Sequence, residues 1–361
     1  MKHRSAALLP GTYLGVIFLL LLIGLLFVFE SSGPDSFRTY GNALTLTYQQ
    51  GFGILLGIGA FFISLSIPTR WYFRFASVIF VAGLLLLAAT ILPGVGLRLN
   101  GAQRWLNLGF MIIQPVEIMK FAMLVFMSSW LAKQQRIQTF LLTLGLPAAL
   151  VMLQPDMGST LVLGGIATLL YIVGGGNYKQ LGYVALGVIP LALILILVAP
   201  YRLQRVVTYL NPSNDPENAG YHVRQLTLAL GRGGIFGQGI GNSSQKFSYV
   251  PEASTDSIAA IIGEEVGFIG LLFVIGLFVL LFRTSLQMAK DLKGSQQLLA
   301  YGIIIWVAVQ FLLNLAAASA LAPLTGVPLP LISYGRTSLI LILFALGVLL
   351  RLYLEEKSAR R

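Results

Sequence analysis

The chain has 361 residues, of which 57% are hydrophobic and only 10% charged, against roughly 25% charged in soluble globular domains. That deficit excludes an ordinary water-soluble fold and makes lipid the expected solvent for most of the chain. The absence of cysteine excludes disulfides, thiolate nucleophiles and Cys-ligated zinc, and two histidines, His3 and His222, are too few for a His-rich metal site. The net charge of +11 is scattered between apolar runs, which points to anionic lipid headgroups and not to nucleic acid.

Ten apolar runs, each near the roughly 20 residues that cross a bilayer, fall at 12–29, 51–67, 73–93, 110–132, 139–154, 159–174, 181–199, 258–282, 298–321 and 337–354. The first follows Met1-Lys2-His3-Arg4 as a signal peptide would, but its apolar core is longer than such a region and no A-x-A site follows, so a retained helix is expected. An even number of spans puts both termini on one side. Fourteen Lys and Arg residues fall on that side and only Arg38, Arg98, Arg104 and Arg336 on the short connections opposite, which assigns the termini to the cytoplasm. The expected fold is an all-α polytopic membrane protein of about ten helices, one domain over 1–361. A large outward connection, 200–257, joins the seventh and eighth spans; it is rich in Gly, Asn and Ser but contains apolar stretches such as Val223 to Leu230, so a partly helical cap is expected. No repeat with a period of 20–50 residues and no inverted symmetry is apparent.

Within the fourth span Glu117 and Lys120 each carry an insertion cost of about 2.5–3.5 kcal/mol. Three residues apart, they share a helix face and can neutralise each other, or line a cavity for a polar or phosphorylated substrate. Asn100-Gly101-Ala102-Gln103-Arg104-Trp105 sets an Arg beside an interfacial Trp, where Arg104 can bind phosphate or merely a lipid headgroup. In Gln154-Pro155-Asp156-Met157-Gly158 the aspartate is favoured as the N-cap of the sixth span, although the same backbone amides could face an anion. The run Gly231 to Ser243 lacks both a preceding buried strand and the P-loop order, so its glycines are read as tight turns at the membrane surface and not as a nucleotide site.

Pro251-Glu252-Ala253-Ser254-Thr255-Asp256-Ser257 closes the long connection. Asp256 reads two ways, as the N-cap of the eighth span or as a catalytic base. Glu264 lies eight residues on, about 12 Å along a helix, beyond the roughly 5–9.5 Å of glycosidase carboxylate pairs. A single base suffices where the leaving group needs no protonation, as with a diphosphate, and a nearby cation stabilises the developing charge.

Taken in order, Asn100 to Trp105, Gln114-Pro115-Val116-Glu117-Ile118-Met119-Lys120, Gln154 to Gly158, Gly220-Tyr221-His222 with Gln225, Pro251 to Asp256, Gly263-Glu264-Glu265 and Leu329-Pro330-Leu331-Ile332-Ser333-Tyr334-Gly335 resemble the SEDS family, the shape, elongation, division and sporulation proteins of the FtsW, RodA and SpoVE group. The resemblance covers nearly the whole chain. It implies a peptidoglycan glycosyltransferase that polymerises lipid II at the outer face of the bacterial cytoplasmic membrane, with a class B penicillin-binding transpeptidase and other divisome or elongasome membrane proteins as partners.

By that resemblance Asp256 is the catalytic base, and Arg104, Glu117, Lys120, Gln225, Ser333 and Gly335 are substrate-binding residues; Arg336 joins them as a candidate on its charge alone. No cofactor is required, and a divalent cation, Mg or Mn, is compatible with the diphosphate. Two residues depart from the family pattern: Val116 stands where serine is usual, and Arg336 where a second glycine follows Ser-Tyr-Gly. Arg336 adds a fixed positive charge, either a diphosphate contact or an obstruction. Gly241 to Lys246 and Pro251 to Ala253 resemble the division branch and Gly326 to Leu331 the elongation branch, a balance that favours division. Two rival functions use the same residues differently: a lipid flippase or transporter needs the buried charges but no base, and a division scaffold needs neither.

Overall fold

A computed structural model describes residues 2–99, 102–109, 111–187, 203, 207–209, 219–244 and 252–360. The described chain is overwhelmingly helical. In order it forms α1 (Lys2–Tyr40), α2 (Thr45–Ser66), α3 (Thr69–Arg74), α4 (Ala76–Ile91), a small sheet of β1 (Gly96–Leu99), β2 (Ala102–Asn107) and β3 (Ile112–Ile113), then α5 (Pro115–Leu131), α6 (Ile137–Leu153), α7 (Met157–Val173), α8 (Ala219–Gly233), α9 (Ile258–Lys290), α10 (Gly294–Ala318) and α11 (Arg336–Ala359). Residues 178–187 are also helical. α1, α2, α9, α10 and α11 are long and apolar enough to cross a membrane, and α4, α6 and α7 are shorter apolar helices. The chain is a multi-pass membrane protein. Of the seventh expected span, 181–199, residues 188–199 lie outside the described residues.

The sheet is what the sequence reading did not foresee. β1, β2 and β3 pair antiparallel, and the Leu99–Ala102 pairing leaves two residues, Asn100 and Gly101, to connect the first two strands. Asn-Gly between alternating apolar residues is the strongest short-range hairpin signal. The fourth span consequently starts late: Ile112 and Ile113 belong to β3, and the helix begins at Pro115, whose fixed φ and missing N–H suit the first turn.

α2 runs parallel to α11, with Gly53 facing Arg336 and Gly57 facing Leu343. α1 is tied to α11 by the Tyr13 hydroxyl, which donates to the Leu346 carbonyl at 2.9 Å. One end of the bundle gathers charged side chains: Thr69 N donates to Glu355 at 3.2 Å, Arg351 pairs with Glu355 at 2.8 Å, and Arg360 approaches Asp291 at 3.7 Å. An open cleft of about 550 Å³ lies there, lined by Pro68, Thr69, Arg70, Phe73, Gln296 and Glu355. The other end carries the sheet, α8, the 252–257 turn and the 329–335 segment.

α8 includes the apolar stretch Val223–Leu230, so that part of the 200–257 connection is helical as expected. The glycine-rich run after it also has a specific task. α9 breaks at Gly267 (φ 69°, ψ −170°), and the run crosses the break: Gln238 N and Gly239 N donate to the Glu264 and Glu265 carbonyls at 3.0 and 2.9 Å, while Phe268 N and Ile269 N donate to Gly234 O and Ile235 O at 2.9 and 3.2 Å. The backbones approach so closely that a Cβ at Gly237 would sit 2.2 Å from Glu265 O, and one at Gly267 would sit 2.3 Å from Gly237 N. These glycines therefore let one chain complete the hydrogen bonding of an interrupted helix.

Candidate functional site

Asp256 is half-buried in the turn between residue 252 and α9. The N-cap position of α9 is Ser257, so the aspartate precedes the cap and the N-cap reading of Asp256 is corrected. What holds the turn is its main chain. Three successive carbonyls are each claimed by a different group: Ser254 O accepts from Tyr334 N at 2.8 Å, Thr255 O from the Ser333 hydroxyl, and Asp256 O from Asn314 Nδ2 at 2.9 Å. The Thr255 hydroxyl lies 3.1 Å from Asp256 Oδ1 and 3.0 Å from Glu252 Oε2, so its one proton can be donated to either carboxylate. Ser257 Oγ is 2.8 Å from His222 Nε2, both residues being buried, which joins α8 to the same turn. Carbonyls held this way fix the backbone of the turn.

Ser333 is therefore brought to the Asp256 turn directly; it also accepts from Leu329 N at 2.8 Å, and its carbonyl accepts from Gln50 Nε2 at 3.3 Å. The Tyr334 hydroxyl donates to Gln49 Oε1 at 2.6 Å; burial pushes this phenol up, against the pull of Arg336. Gly335 occupies the N-cap position of α11. Arg336, the first residue of α11, packs its stem beside Gly53, between α2 and α11. Gln225 is half-buried on α8, three residues past His222.

Arg104 projects from β2 to a neighbouring turn. Its Nε donates to Gln154 O at 3.2 Å, its terminal nitrogen donates to Pro155 O, and Nε lies 3.7 Å from Asp156 Oδ2. Asp156 is the N-cap of α7, accepting from Ser159 N at 3.0 Å and from the Ser159 hydroxyl at 2.8 Å. The capping role expected for it is realised. Glu117 and Lys120 form the expected ion pair, Nζ to Oε1 at 2.7 Å, with residue exposures of 2% and 1%. Glu264 is engaged by the hydroxyls of Ser243 and Ser244, consistent with its exclusion as a carboxylate partner of Asp256.

The sequence reading missed Asn314, a buried polar residue in the last turns of an apolar span, which was itself the available signal. Among the described residues no three His, Asp or Glu side chains converge as metal ligands. Pro251, Asn100, Gly101, Gln245 and Lys246 from the quoted motifs lie outside the described residues.

A bundle of apolar helices that buries an ion pair and gathers a half-buried aspartate, a serine-tyrosine segment and a histidine-bearing helix at one end defines a polytopic membrane protein with a polar site at the bundle's edge. The chain belongs to the cell cycle protein family of FtsW, RodA and SpoVE, whose profile matches residues 11–358. It is 38% identical to the probable peptidoglycan glycosyltransferase FtsW of Aliivibrio salmonicida, over 92% of this chain and 86% of that one. It is 37% identical to stage V sporulation protein E of Bacillus subtilis, over 94% and 96%. Among solved structures it resembles a chain of a peptidoglycan synthase complex that coordinates polymerization and crosslinking (TM-score 0.80, 27% identity, 95% and 97% covered). It also resembles the rod shape determining protein RodA of Thermus thermophilus (TM-score 0.69, 25% identity, 95% and 96% covered).

Proposed function

We propose that this chain is a peptidoglycan glycosyltransferase of the division branch, polymerising lipid II at the outer face of the bacterial cytoplasmic membrane alongside a class B penicillin-binding transpeptidase. The observation that carries the reading is the Asp256 turn, whose three carbonyls are fixed by α10 and by the 333–334 segment. Such anchoring places a carboxylate to within the small tolerance that proton transfer demands.

In this mechanism Asp256 accepts the proton of the acceptor sugar's 4-hydroxyl as that oxygen attacks the anomeric carbon of the donor, breaking its bond to undecaprenyl diphosphate with inversion. The diphosphate leaves as an anion, so a second carboxylate acting as an acid is not needed. Stabilising that anion is assigned to Arg336 at the end of the same segment, whose side chain also meets the Tyr334 hydroxyl, since Arg104 is held by the 154–156 turn and Lys120 by Glu117. Gln225, on the helix that contacts Ser257, is assigned to the sugar.

The test is gel-resolved glycan polymerisation from labelled lipid II by the purified full chain, with and without its transpeptidase, for wild type and Asp256→Asn. Polymer from wild type and a rate at least 100-fold lower from the variant is the expected result, in line with the ~10²–10⁴ of general-base catalysis. Equal polymer from both would remove Asp256 from the chemistry. No polymer from either, with lipid transport intact, would favour a flippase.

A further inference from the structure

α10 carries Trp306, Gln310 and Asn314 at intervals of four residues, and all three are buried. Residues so spaced share one helix face. Lys120 Nζ lies 5.9 Å from the centre of the Trp306 ring, and Leu124 faces Gly302, so α5 and α10 run antiparallel along this face. Glu117, three residues or about 4.5 Å further along α5, then stands beside the stretch between Trp306 and Gln310. At the far end Asn314 Nδ2 donates to both Asp256 O and Val327 O at 2.9 Å.

Along this face hydrogen-bonding capacity is left over. Trp306 Nε1, both amide atoms of Gln310, Asn314 Oδ1 and Glu117 Oε2 are all buried and have no partner among the described residues. Buried polar atoms are nearly always satisfied, by protein or by ordered water. The unused groups mix N–H donors with oxygen acceptors. An anion would meet the acceptors and a cation the donors and Lys120; water, which donates and accepts, suits both.

We infer that this face holds a file of bound water molecules running from the Glu117–Lys120 pair past Gln310 to Asn314. Gln310, offering a donor and an acceptor, is its central ligand. Water on Asn314 Oδ1 fixes the orientation of that amide and so keeps Nδ2 on the carbonyl of Asp256. Gln310 is thus a positioning residue, acting through water and Asn314. The effect on catalysis rests on the proposed role of Asp256, whereas the water itself does not.

The full chain in nanodiscs is exposed to a short X-ray pulse, and side-chain oxidation is read by mass spectrometry. Radiolysis of a bound water labels the ring beside it, so Trp306 is expected to oxidise despite its burial, and at least fivefold more slowly in Gln310→Leu. Tyr13, buried with its hydroxyl satisfied by the Leu346 carbonyl, supplies the dry reference. Thermal unfolding gives a second reading: in a hydrated face Gln310→Leu lowers Tm, whereas in a dry one it raises Tm by replacing orphaned polar atoms with methyl groups. Trp306 labelled no faster than Tyr13, or a Gln310→Leu variant with raised Tm, would overturn the water file.

With lipid II as substrate, Gln310→Leu is expected to lower kcat at least fivefold with KM within twofold of wild type. An unchanged kcat beside a labelled Trp306 would overturn the positioning role alone. Activity surviving Asp256→Asn would instead strike the catalytic reading and leave the labelling result standing.

Discussion

Asp156 and Asp256 occupy similar places in the sequence, each in a polar turn just ahead of an apolar helix, yet the two turns are built in opposite ways. At Asp156 the side chain does the holding: it caps α7 through Ser159 and faces Arg104, whose guanidinium also binds the carbonyls of residues 154 and 155. At Asp256 the cap position passes to Ser257, and the turn is held through its carbonyls by Tyr334, Ser333 and Asn314. A carboxylate that carries the architecture has little left for chemistry. A turn anchored by its main chain can present a carboxylate to a substrate.

The contrast breaks most sharply on rates. If Asp256 is the base, its conversion to Asn removes polymerisation by at least 100-fold while the three carbonyl bonds, and with them the melting temperature, stay as they are. Next in size is the buried ion pair. Lys120→Met leaves the Glu117 carboxylate alone at 2% exposure, and losing one partner of a buried pair costs about 3–5 kcal/mol. The double variant with Glu117→Gln should recover most of that loss in thermal unfolding, because no isolated charge remains. A double variant as unstable as the single one would show that the pair's value lies in packing instead.

The helices and the Glu117–Lys120 pairing were legible because both follow from composition and from helical spacing. The role of Asp156 was legible too, since capping is decided within four residues. The cap at α9 was not: Asp256 and Ser257 are both good capping residues, and local sequence does not decide between neighbours. The carbonyl clamp escaped because its parts lie 58 to 80 residues apart: Asn314 on α10 and the 333–334 segment before α11 meet the turn only after the bundle has formed. The three-stranded sheet was legible in principle from Asn100-Gly101, but charged and aromatic residues beside it invited an interfacial reading.

Asp156→Asn should act on stability more than on rate. The amide keeps an oxygen for Ser159 N but loses the charge facing Arg104 and the helix N-terminus, a change of about 1 kcal/mol, or roughly 1–2 °C in Tm for a chain this long. Polymerisation at a permissive temperature should stay within about twofold, given how far the two effects differ in kind. A loss approaching that of Asp256→Asn would mean that the 154–156 turn also belongs to the chemistry, and the comparison between the two aspartates would fall.

The smallest effect sharpens the clamp itself. Tyr334 contributes its backbone N–H to Ser254 O, while its hydroxyl donates to Gln49 and meets the Arg336 side chain, so Tyr334→Phe deletes the hydroxyl contacts and keeps the backbone one. About 1 kcal/mol should be lost, with the polymerisation rate nearly unchanged because the carbonyl bond survives. Alkaline titration separates the two contributions. Burial raises the Tyr334 phenol above its ordinary value of 10.0, so the folded state holds this proton after the unfolded chain has released it. Its contribution is therefore complete below about pH 10 and is lost as pH rises from there through the folded value. Wild type and Tyr334→Phe, compared by thermal unfolding across that range, should converge as pH rises. Parallel curves would show that this phenol titrates alike in both states.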